Sequence, residues 1–262
     1  MKDDVYFVED RRIKIKEIID KNGKATVEQL CEILDVSKST IRTDLKTLNQ
    51  AGLVQRTHGG AIKISERQQV GSELCPSAKL EQQLLEKKAI ARRAADLVSD
   101  GDTIAVMTGT TTYEFIKQLN NKKNLTIISN DIRIVSWLEE NSPHSIYIIG
   151  GMIRKGFHYM IFAYEEITNL NVDKLFFSCD SYNLASGATI PDYQLAFNTR
   201  AMLKKSTERY LLCISSKVGK TSFAKLADSE EITKVIVDEK IPSYELKKII
   251  DINRNNVIVA KM

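Results

Sequence analysis

The chain has 262 residues, of which 43% are hydrophobic and 27% are charged, and its formal net charge is +4. These values exclude an intrinsically disordered or collagen-like chain and are typical of one large globular domain or two unequal ones. A charge this small identifies no partner until its distribution along the chain is known.

The sequence lacks the motifs of several common functional sites. The four cysteines form no C-x-x-C pair, and the three histidines form no metal-binding motif. The sequence contains neither G-x-G-x-x-G nor G-x-x-x-x-G-K-[ST]. The acidic start and the lack of any run near about 20 apolar residues argue against a signal peptide or a membrane span. We therefore expect a cytoplasmic protein with reduced thiols and with no metal, cofactor or membrane contact.

Three short helices are predicted at the N-terminus. Residues 8–22 carry one apolar stripe and end at Asn22-Gly23. Thr26 with Gln29 three residues later is a capping box, which predicts a helix that runs to about Leu34. Ser37 is positioned to cap a third helix over about Lys38–Gln50, with Gly52 just beyond its end.

The third helix has two distinct sides. Ile41, Leu45 and Leu48 form a narrow apolar stripe, because a helix turns by about 100° per residue. The opposite side combines cations, hydroxyls and an amide without a carboxylate, in Ser39, Arg42, Thr43, Lys46 and Gln50. Such groups suit the base edges and phosphates of a DNA major groove.

Two short strands are predicted after this helix, at residues 53–56 and 61–64, joined through residues 57–60. This arrangement is typical of the wing of a winged helix-turn-helix, in which Arg56 and Lys63 would flank a groove. A plainer interpretation is a solvated basic helix, since helix-turn-helix geometry also occurs in proteins that do not bind DNA.

Residues 27–62, VEQLCEILDVSKSTIRTDLKTLNQAGLVQRTHGGAI, closely resemble the DNA-binding domain of the DeoR family of bacterial transcriptional regulators. The family usually has two arginines before the aspartate of the recognition helix, whereas this chain has Arg42-Thr43 before Asp44. The resemblance implies a winged helix-turn-helix that reads duplex operator DNA. The candidate DNA-binding residues are Ser37, Lys38, Ser39, Thr40, Arg42, Thr43, Lys46, Arg56, His58 and Lys63.

The remainder of the chain is predicted to form a larger α/β domain. A polar segment at 65–79 is interpreted as a linker, so the domains are residues 1–64 and 80–262. After a helix from Leu80 to about Ser99, six buried strands alternate with mostly helical stretches, at 103–107, 125–129, 145–149, 174–179, 210–214 and 234–237. This alternation predicts a doubly wound, Rossmann-like parallel sheet whose ligand crevice lies beyond the carboxyl ends of the strands.

The loops after these strands carry anion-binding and sugar-binding residue types. Gly109 and the following threonines open a helix, where backbone amides favour a phosphate. Cations could balance the phosphate charge, and carboxylates could accept hydrogen bonds from sugar hydroxyls. Each group also has a structural explanation as a helix cap or turn residue. The candidate effector-binding residues are Gly109, Thr110, Thr111, Thr112, Asn130, Gly150, Gly151, Arg154, Asp180, Asp192 and Lys217.

This region resembles the C-terminal effector domain of the DeoR family, whose fold is shared with ribose-5-phosphate isomerase. The matching motifs are GTTT at 109–112, SN at 129–130, GG with Arg154, Asp180, PD at 191–192 and SSK at 215–217. The resemblance implies a phosphorylated sugar or a related metabolite as ligand. Two acids usual in the family are replaced, by Met107 and by Tyr193.

The sequence therefore predicts a repressor of sugar-metabolism genes that is relieved by a phosphorylated sugar or related metabolite. Because one winged domain reads a half-site, a homodimer or homotetramer is expected. Two alternatives remain at this stage. One is a DNA-binding regulator without a small-molecule effector, and the other is a sugar-phosphate isomerase, which the loss of acids at Met107 and Tyr193 disfavours.

Overall fold

A computed structural model of the protein describes residues 8–50, 53–57, 59–63, 82–252 and 256–262. The contacts divide the chain into two compact units, residues 1–79 and 80–262. The predicted linker, together with Gly52, His58 and Ile64, lies outside the described residues.

The N-terminal unit contains the three predicted helices at the expected positions. Its elements are α1 (Val8–Asn22), β1 (Lys24–Thr26), α2 (Val27–Leu34), α3 (Lys38–Gln50), β2 (Gln55–Arg56) and β3 (Gly60–Ile62). The capping box is confirmed, because Thr26 Oγ1 accepts a hydrogen bond from the Gln29 amide at 3.2 Å while Gln29 Oε1 accepts one from the Thr26 amide at 2.9 Å. The buried Ile41, Leu45 and Leu48 of α3 pack against the other two helices in one core.

The wing is a three-stranded antiparallel sheet in the order β1-β3-β2. The two predicted wing strands are present but shorter than expected, and β1 was not predicted. Gly60 sits where β1 and β3 approach most closely, since a Cβ atom there would lie 2.2 Å from the carbonyl oxygen of Ala25. A glycine at this position allows the wing to close against β1.

The C-terminal unit is built on a sheet of seven parallel strands. Its helices are α4 (Leu84–Ala95), α5 (Thr110–Ile116), α6 (Ile132–Asn141), α7 (Tyr193–Leu203) and α8 (Ser243–Ile252). Its strands are β4 (Thr103–Val106), β5 (Thr126–Ser129), β6 (Ser145–Ile148), β7 (Met152–Arg154), β8 (Tyr159–Ile161), β9 (Val172–Ser178), β10 (Ser181–Asn183), β11 (Gly187–Ile190), β12 (Ser206–Cys213), β13 (Ala224–Ala227), β14 (Lys234–Asp238) and β15 (Val257–Ala260).

The strand order β15-β14-β12-β9-β4-β5-β6 confirms the doubly wound prediction. All six predicted strands are present, and the edge strand β15 was not predicted. Each face of the sheet has its own core, because neighbouring residues such as Phe176 and Phe177 pack on opposite sides. Helices α4, α5 and α6 cover one face, and α7 and α8 cover the other.

Two smaller antiparallel sheets extend from the main sheet, and neither was predicted. One has the order β10-β11-β13, and the other is the β7-β8 hairpin. The strand order of the main sheet reverses between β4 and β9, which is where ligands bind in doubly wound folds. The loops after these two strands therefore mark the candidate effector site.

Candidate functional site

The polar side of α3 is exposed, as predicted. Ser39, Arg42, Thr43 and Lys46 are all exposed, whereas Ile41 on the opposite side is fully buried. Because these positions recur every three or four residues, the four exposed side chains lie along one face of the helix. We call these four residues the α3 face.

The start of α3 is closed by hydroxyl groups. Ser37 Oγ accepts a hydrogen bond from the Thr40 amide at 3.2 Å and lies 2.7 Å from Ser39 Oγ and 2.8 Å from Thr40 Oγ1. Lys38 forms an exposed ion pair with Glu28 at 2.9 Å, and the hydrogen bond from Lys38 lowers the pKa of Glu28. The start of α3 is therefore ordered by its own hydroxyl groups and by an ion pair with α2.

A buried carboxylate joins α3 to α1. Asp44 is 1% exposed, and its two oxygens accept hydrogen bonds from Arg11 Nε at 2.7 Å and from Arg12 Nε at 2.9 Å. This contact was not predicted, because Arg11 and Arg12 lie more than 30 positions from Asp44 in the chain. Two cations of α1 are thereby used to fix the orientation of the α3 face.

The wing is attached to both neighbouring helices. The Val27 amide donates to the Gly59 carbonyl at 2.9 Å, and the Arg56 amide donates to Asn49 Oδ1 at 2.8 Å. Arg56 and Lys63 are exposed, and Lys63 Nζ lies 3.4 Å from the carbonyl oxygen of Asp20. The described part of the wing thus presents cations on a rigid support, as a phosphate-binding surface requires.

In the C-terminal unit, the loop after β4 lies against the end of β9. A Cβ atom on Gly109 would lie 2.3 Å from Ser178 Oγ, so a larger residue at position 109 would require the Ser178 side chain to move. In the first turn of α5, Thr110, Thr111 and Thr112 are 8%, 2% and 0% exposed. The Thr112 hydroxyl donates to the Gly109 carbonyl at 2.9 Å and so helps to shape the loop.

The loop after β5 is connected to both of its neighbours. The Asn130 side chain accepts from the Thr108 amide at 3.2 Å and donates to the Met160 carbonyl at 3.0 Å. The next residue, Asp131, accepts from the Thr108 hydroxyl at 2.6 Å and pairs with Arg133 at 2.9 Å. Asn130 therefore positions the surrounding loops.

Four of the predicted effector residues form two ion pairs. In the first pair, Arg154 contacts Asp192, which also accepts from the Tyr159 hydroxyl at 3.2 Å and caps α7 through the Leu195 amide at 2.7 Å. The Arg154 guanidinium also lies 4.0 Å from the centre of the Phe157 ring. Asp192 thus acts as a helix cap and as the partner of a cation that could bind an anion.

The second ion pair joins Lys217 to Asp180 at 3.5 Å, and Lys217 Nζ also donates to the Cys179 carbonyl at 2.5 Å. Burial lowers the pKa of Lys217, but attraction to neighbouring groups, with Asp180 first among them, outweighs this effect and the pKa lies above its ordinary value. Lys217 is therefore a fixed positive charge at the carboxyl end of the sheet.

The two glycines after β6 have different surroundings. Gly151 has a φ of +152°, and a Cβ atom there would lie 2.1 Å from the Ile161 carbonyl oxygen, so this residue closes the β7-β8 hairpin. Gly150 has open space around it. Gly150 is therefore the better placed of the two to lie beside a ligand.

Comparison with known families agrees with both units. Residues 11–67 match the DeoR-like helix-turn-helix domain, and residues 82–239 match the DeoR C-terminal sensor domain. The HTH-type transcriptional regulator GolR of Listeria innocua is 30% identical over 92% of this chain and 95% of its own length. The chain belongs to the DeoR family of transcriptional regulators.

Other relatives of this DeoR-family protein place it among repressors. The lactose phosphotransferase system repressor of Staphylococcus epidermidis is 32% identical over 90% of this chain and 96% of that protein. Ribose 5-phosphate isomerase A from Methanocaldococcus jannaschii aligns with a TM-score of 0.39 at 17% identity, over 50% of this chain and 53% of that chain. The sequence relatives are regulators, so the DeoR-family chain is a transcriptional repressor and not an enzyme.

Met107 and Tyr193, the two positions at which the resemblance led us to expect acids, have different surroundings in this DeoR-family chain. Met107 is 2% exposed and packs in the core, whereas Tyr193 is 67% exposed at the start of α7. Among the described residues there is no cluster of three or more metal-ligating side chains. Nor does any described helix combine the length and apolar character needed to cross a membrane.

One pair of cysteines was missed by sequence reasoning. Cys179 directly follows β9 and Cys213 is the last residue of β12, each next to a residue of the Ser178–Leu212 pair, and their Sγ atoms lie 3.8 Å apart. The contact with Cys179, followed by burial, raises the pKa of the Cys213 thiol well above its ordinary value. Cys179 and Cys213 are thus core residues, whereas Cys31 is only half-buried and Cys75 lies outside the described residues.

Proposed function

We propose that this protein represses genes of sugar metabolism by binding operator DNA through the α3 face and the wing, with Arg42, Lys46, Arg56 and Lys63 as the main cations. The observation that carries the proposal is the α3 face itself, an exposed polar helix surface held in place by a buried Asp44. Such a surface suits direct contact with base edges and phosphates. The other candidate contacts are Ser37, Lys38, Ser39, Thr40, Thr43 and His58.

The proposed signal is a small phosphorylated sugar or a related metabolite. Arg154 and Lys217 supply cations, and Asp180 and Asp192 supply hydroxyl acceptors, at the ends of the strands. The name of the staphylococcal relative, a lactose phosphotransferase system repressor, supports a link to sugar metabolism. A ligand that binds one state of the protein more tightly lowers the population of the other state.

A homodimer or homotetramer is part of the same proposal. One winged domain covers only half of a two-fold operator, and two copies must present their recognition helices to successive major grooves. We propose that the C-terminal unit joins the copies.

The test measures binding of the full chain to duplex DNA from its own promoter and to a scrambled duplex of equal length. We expect the promoter to bind at least about a thousandfold more tightly than the scrambled DNA at moderate ionic strength. Equal and weak affinity for both duplexes would refute DNA recognition.

The effector is tested separately with a panel of pentose and hexose phosphates. A ligand present at about 100 times its dissociation constant should stabilise the protein by about 2.7 kcal/mol, and it should release the promoter DNA. If no sugar phosphate changes either the melting temperature or the DNA affinity, the protein is a regulator without this class of effector.

A further inference from the structure

The residue that precedes α4 has an unusual conformation. Gln83 has a φ of +54°, in the left-handed region that non-glycine residues seldom adopt, and its side chain does not cap the helix that it precedes. Surrounding contacts must hold such a conformation, because it costs free energy. The side chain of Gln83 is instead used in a contact with a distant part of the unit.

That contact joins the start of α4 to the candidate effector site. Ser216 Oγ donates to Gln83 Oε1 at 2.9 Å across 133 positions of the chain. Ser216 lies in the short turn Ser215–Lys217, and its neighbour Lys217 forms the ion pair with Asp180. One short turn therefore contacts both the candidate effector site and the beginning of α4.

A second connection lies beside the first. Asp238 is fully buried and accepts hydrogen bonds from the Ser215 amide at 2.6 Å and the Lys240 amide at 3.1 Å. Lys240 Nζ forms an ion pair with Glu86 in the first turn of α4 at 2.5 Å, and this hydrogen bond lowers the pKa of Glu86. We call Gln83, Glu86, Ser216, Asp238 and Lys240 the helix-start clamp.

The clamp lies near the point where the chain enters the C-terminal unit. Helix α4 is the first described element after residues 64–81, the segment through which the chain connects the two units. A change in the conformation of Gln83 or of the first turn of α4 therefore acts directly on the point where this connecting segment ends. An anion bound by Lys217 would compete with Asp180 for the ammonium group and would thereby act on the turn that carries Ser216.

We propose that the helix-start clamp couples effector binding to DNA binding. This inference rests on the proposed function. In the effector-free state the clamp holds Gln83 and the first turn of α4, and the protein binds DNA. An anion at Lys217 shifts the Ser215–Lys217 turn, the Ser216–Gln83 hydrogen bond opens, and the DNA-binding state loses population.

The test uses full-length Ser216→Ala, Lys240→Ala and the double variant, each of which removes a clamp contact without touching Lys217. Gln82→Ala and Lys247→Ala are matched controls at exposed positions outside the clamp. Two quantities are measured without any ligand. One is hydrogen exchange of the Lys87 amide, which donates to the Gln83 carbonyl at 3.1 Å, and of the amides that follow it in α4. The other is affinity for the promoter duplex. Ser216→Thr, which keeps a hydroxyl group, tests for rescue.

We expect faster exchange at the start of α4 and at least about a fivefold loss of promoter affinity in the double variant, since coupling factors between sites are about 5 to 150. Ser216→Thr and both controls should behave as the wild type. Unchanged promoter affinity in the double variant would overturn the inference, whether or not exchange becomes faster. Failure of the wild type to recognise its promoter would instead refute the proposed function, while the exchange data would still report whether the clamp holds the helix.

Inorganic phosphate provides a second arm with the same proteins. At matched ionic strength, phosphate should weaken promoter binding by the wild type and accelerate exchange at the start of α4, and both effects should shrink to within about twofold in the double variant. A phosphate response of equal size in the wild type and the double variant would also overturn the inference.

Discussion

The α3 face and the candidate effector site differ in how their charged side chains are held. Arg42 and Lys46 are exposed on a helix surface, whereas Arg154 and Lys217 are partly buried and each contacts a carboxylate. A surface of the first kind can bind DNA by adding new contacts. At a site of the second kind an anion competes with the carboxylate that already contacts the cation, so we expect ligand binding there to shift the paired groups.

This difference separates the effects of substitutions in the two regions. Changes on the α3 face should alter DNA affinity and leave stability unchanged, because surface residues contribute little to folding. Changes in the paired groups of either unit should alter stability as well, because they leave a buried partner uncompensated. Substitutions at four places in the chain test this separation.

The largest effect is expected at the anchor beneath the α3 face. Asp44→Ala leaves the guanidinium groups of Arg11 and Arg12 without their carboxylate, so unfolding of the N-terminal unit should become easier by about 3–5 kcal/mol. Urea unfolding of the full chain, followed by circular dichroism, measures the change. Glu17→Ala removes an exposed ion pair with Lys14 and should change stability by less than about 0.5 kcal/mol. Equal effects of the two substitutions would contradict the anchoring role.

The second prediction concerns the α3 face. Arg42→Ala and Lys46→Ala should each weaken promoter binding by about 1–3 kcal/mol without lowering the melting temperature, and a pure phosphate contact should also reduce the salt slope by about 1. Titrations at several salt concentrations measure both quantities. Lys247→Ala removes the same charge from the C-terminal unit and serves as the control. If both α3 variants bind like this control, the α3 face is not the recognition surface.

The third prediction concerns the cap of α7. Asp192→Ala removes the acceptor of the Leu195 amide and the partner of Arg154, so it should destabilise the C-terminal unit by about 1–2 kcal/mol. Asp192→Asn should retain most of the stability, because asparagine caps a helix about as well as aspartate. Thermal unfolding distinguishes the two variants. A loss of equal size with asparagine would assign the stabilisation to the ion pair rather than to the cap.

The smallest effect is expected at the capping box of α2. Thr26→Ala removes the acceptor for the Gln29 amide and should cost about 1 kcal/mol in the N-terminal unit, while Thr26→Ser should be nearly neutral. Urea unfolding again provides the measurement. A change in promoter affinity without a change in stability would indicate that Thr26 contacts DNA instead.

The sequence predicted the features that depend on local periodicity. The three N-terminal helices, the exposed side of α3 and the six parallel strands each follow from spacing within a short window of residues. β1 was missed because three residues are too few to establish an alternating pattern. Its strand character comes from pairing with β3, which lies far along the chain.

The missed parts of the two sites depend on contacts between distant residues. From the sequence alone, Asp44 is a polar residue that lies outside the α3 face. Its contact with Arg11 and Arg12 is visible only in the folded structure. Likewise, the parallel pairing of β9 with β12 brings Cys179 to Cys213. The sequence predicted Arg154, Asp180, Asp192 and Lys217 in loops after strands, but Arg154 instead ends the short strand β7, and the pairing of these four residues was not predicted. Their role in effector binding stays a prediction.

The pairing of β1 with β3 also bears on how the N-terminal unit is made. Ala25 lies opposite Ala61, so the first strand of the wing has no partner until the three helices and both later strands have been synthesised. Pairing between residues so far apart raises the contact order of this unit and slows its folding relative to an isolated helical bundle. During translation the wing can close only when Ile62 has left the ribosome, and most of the C-terminal unit is still unmade at that moment.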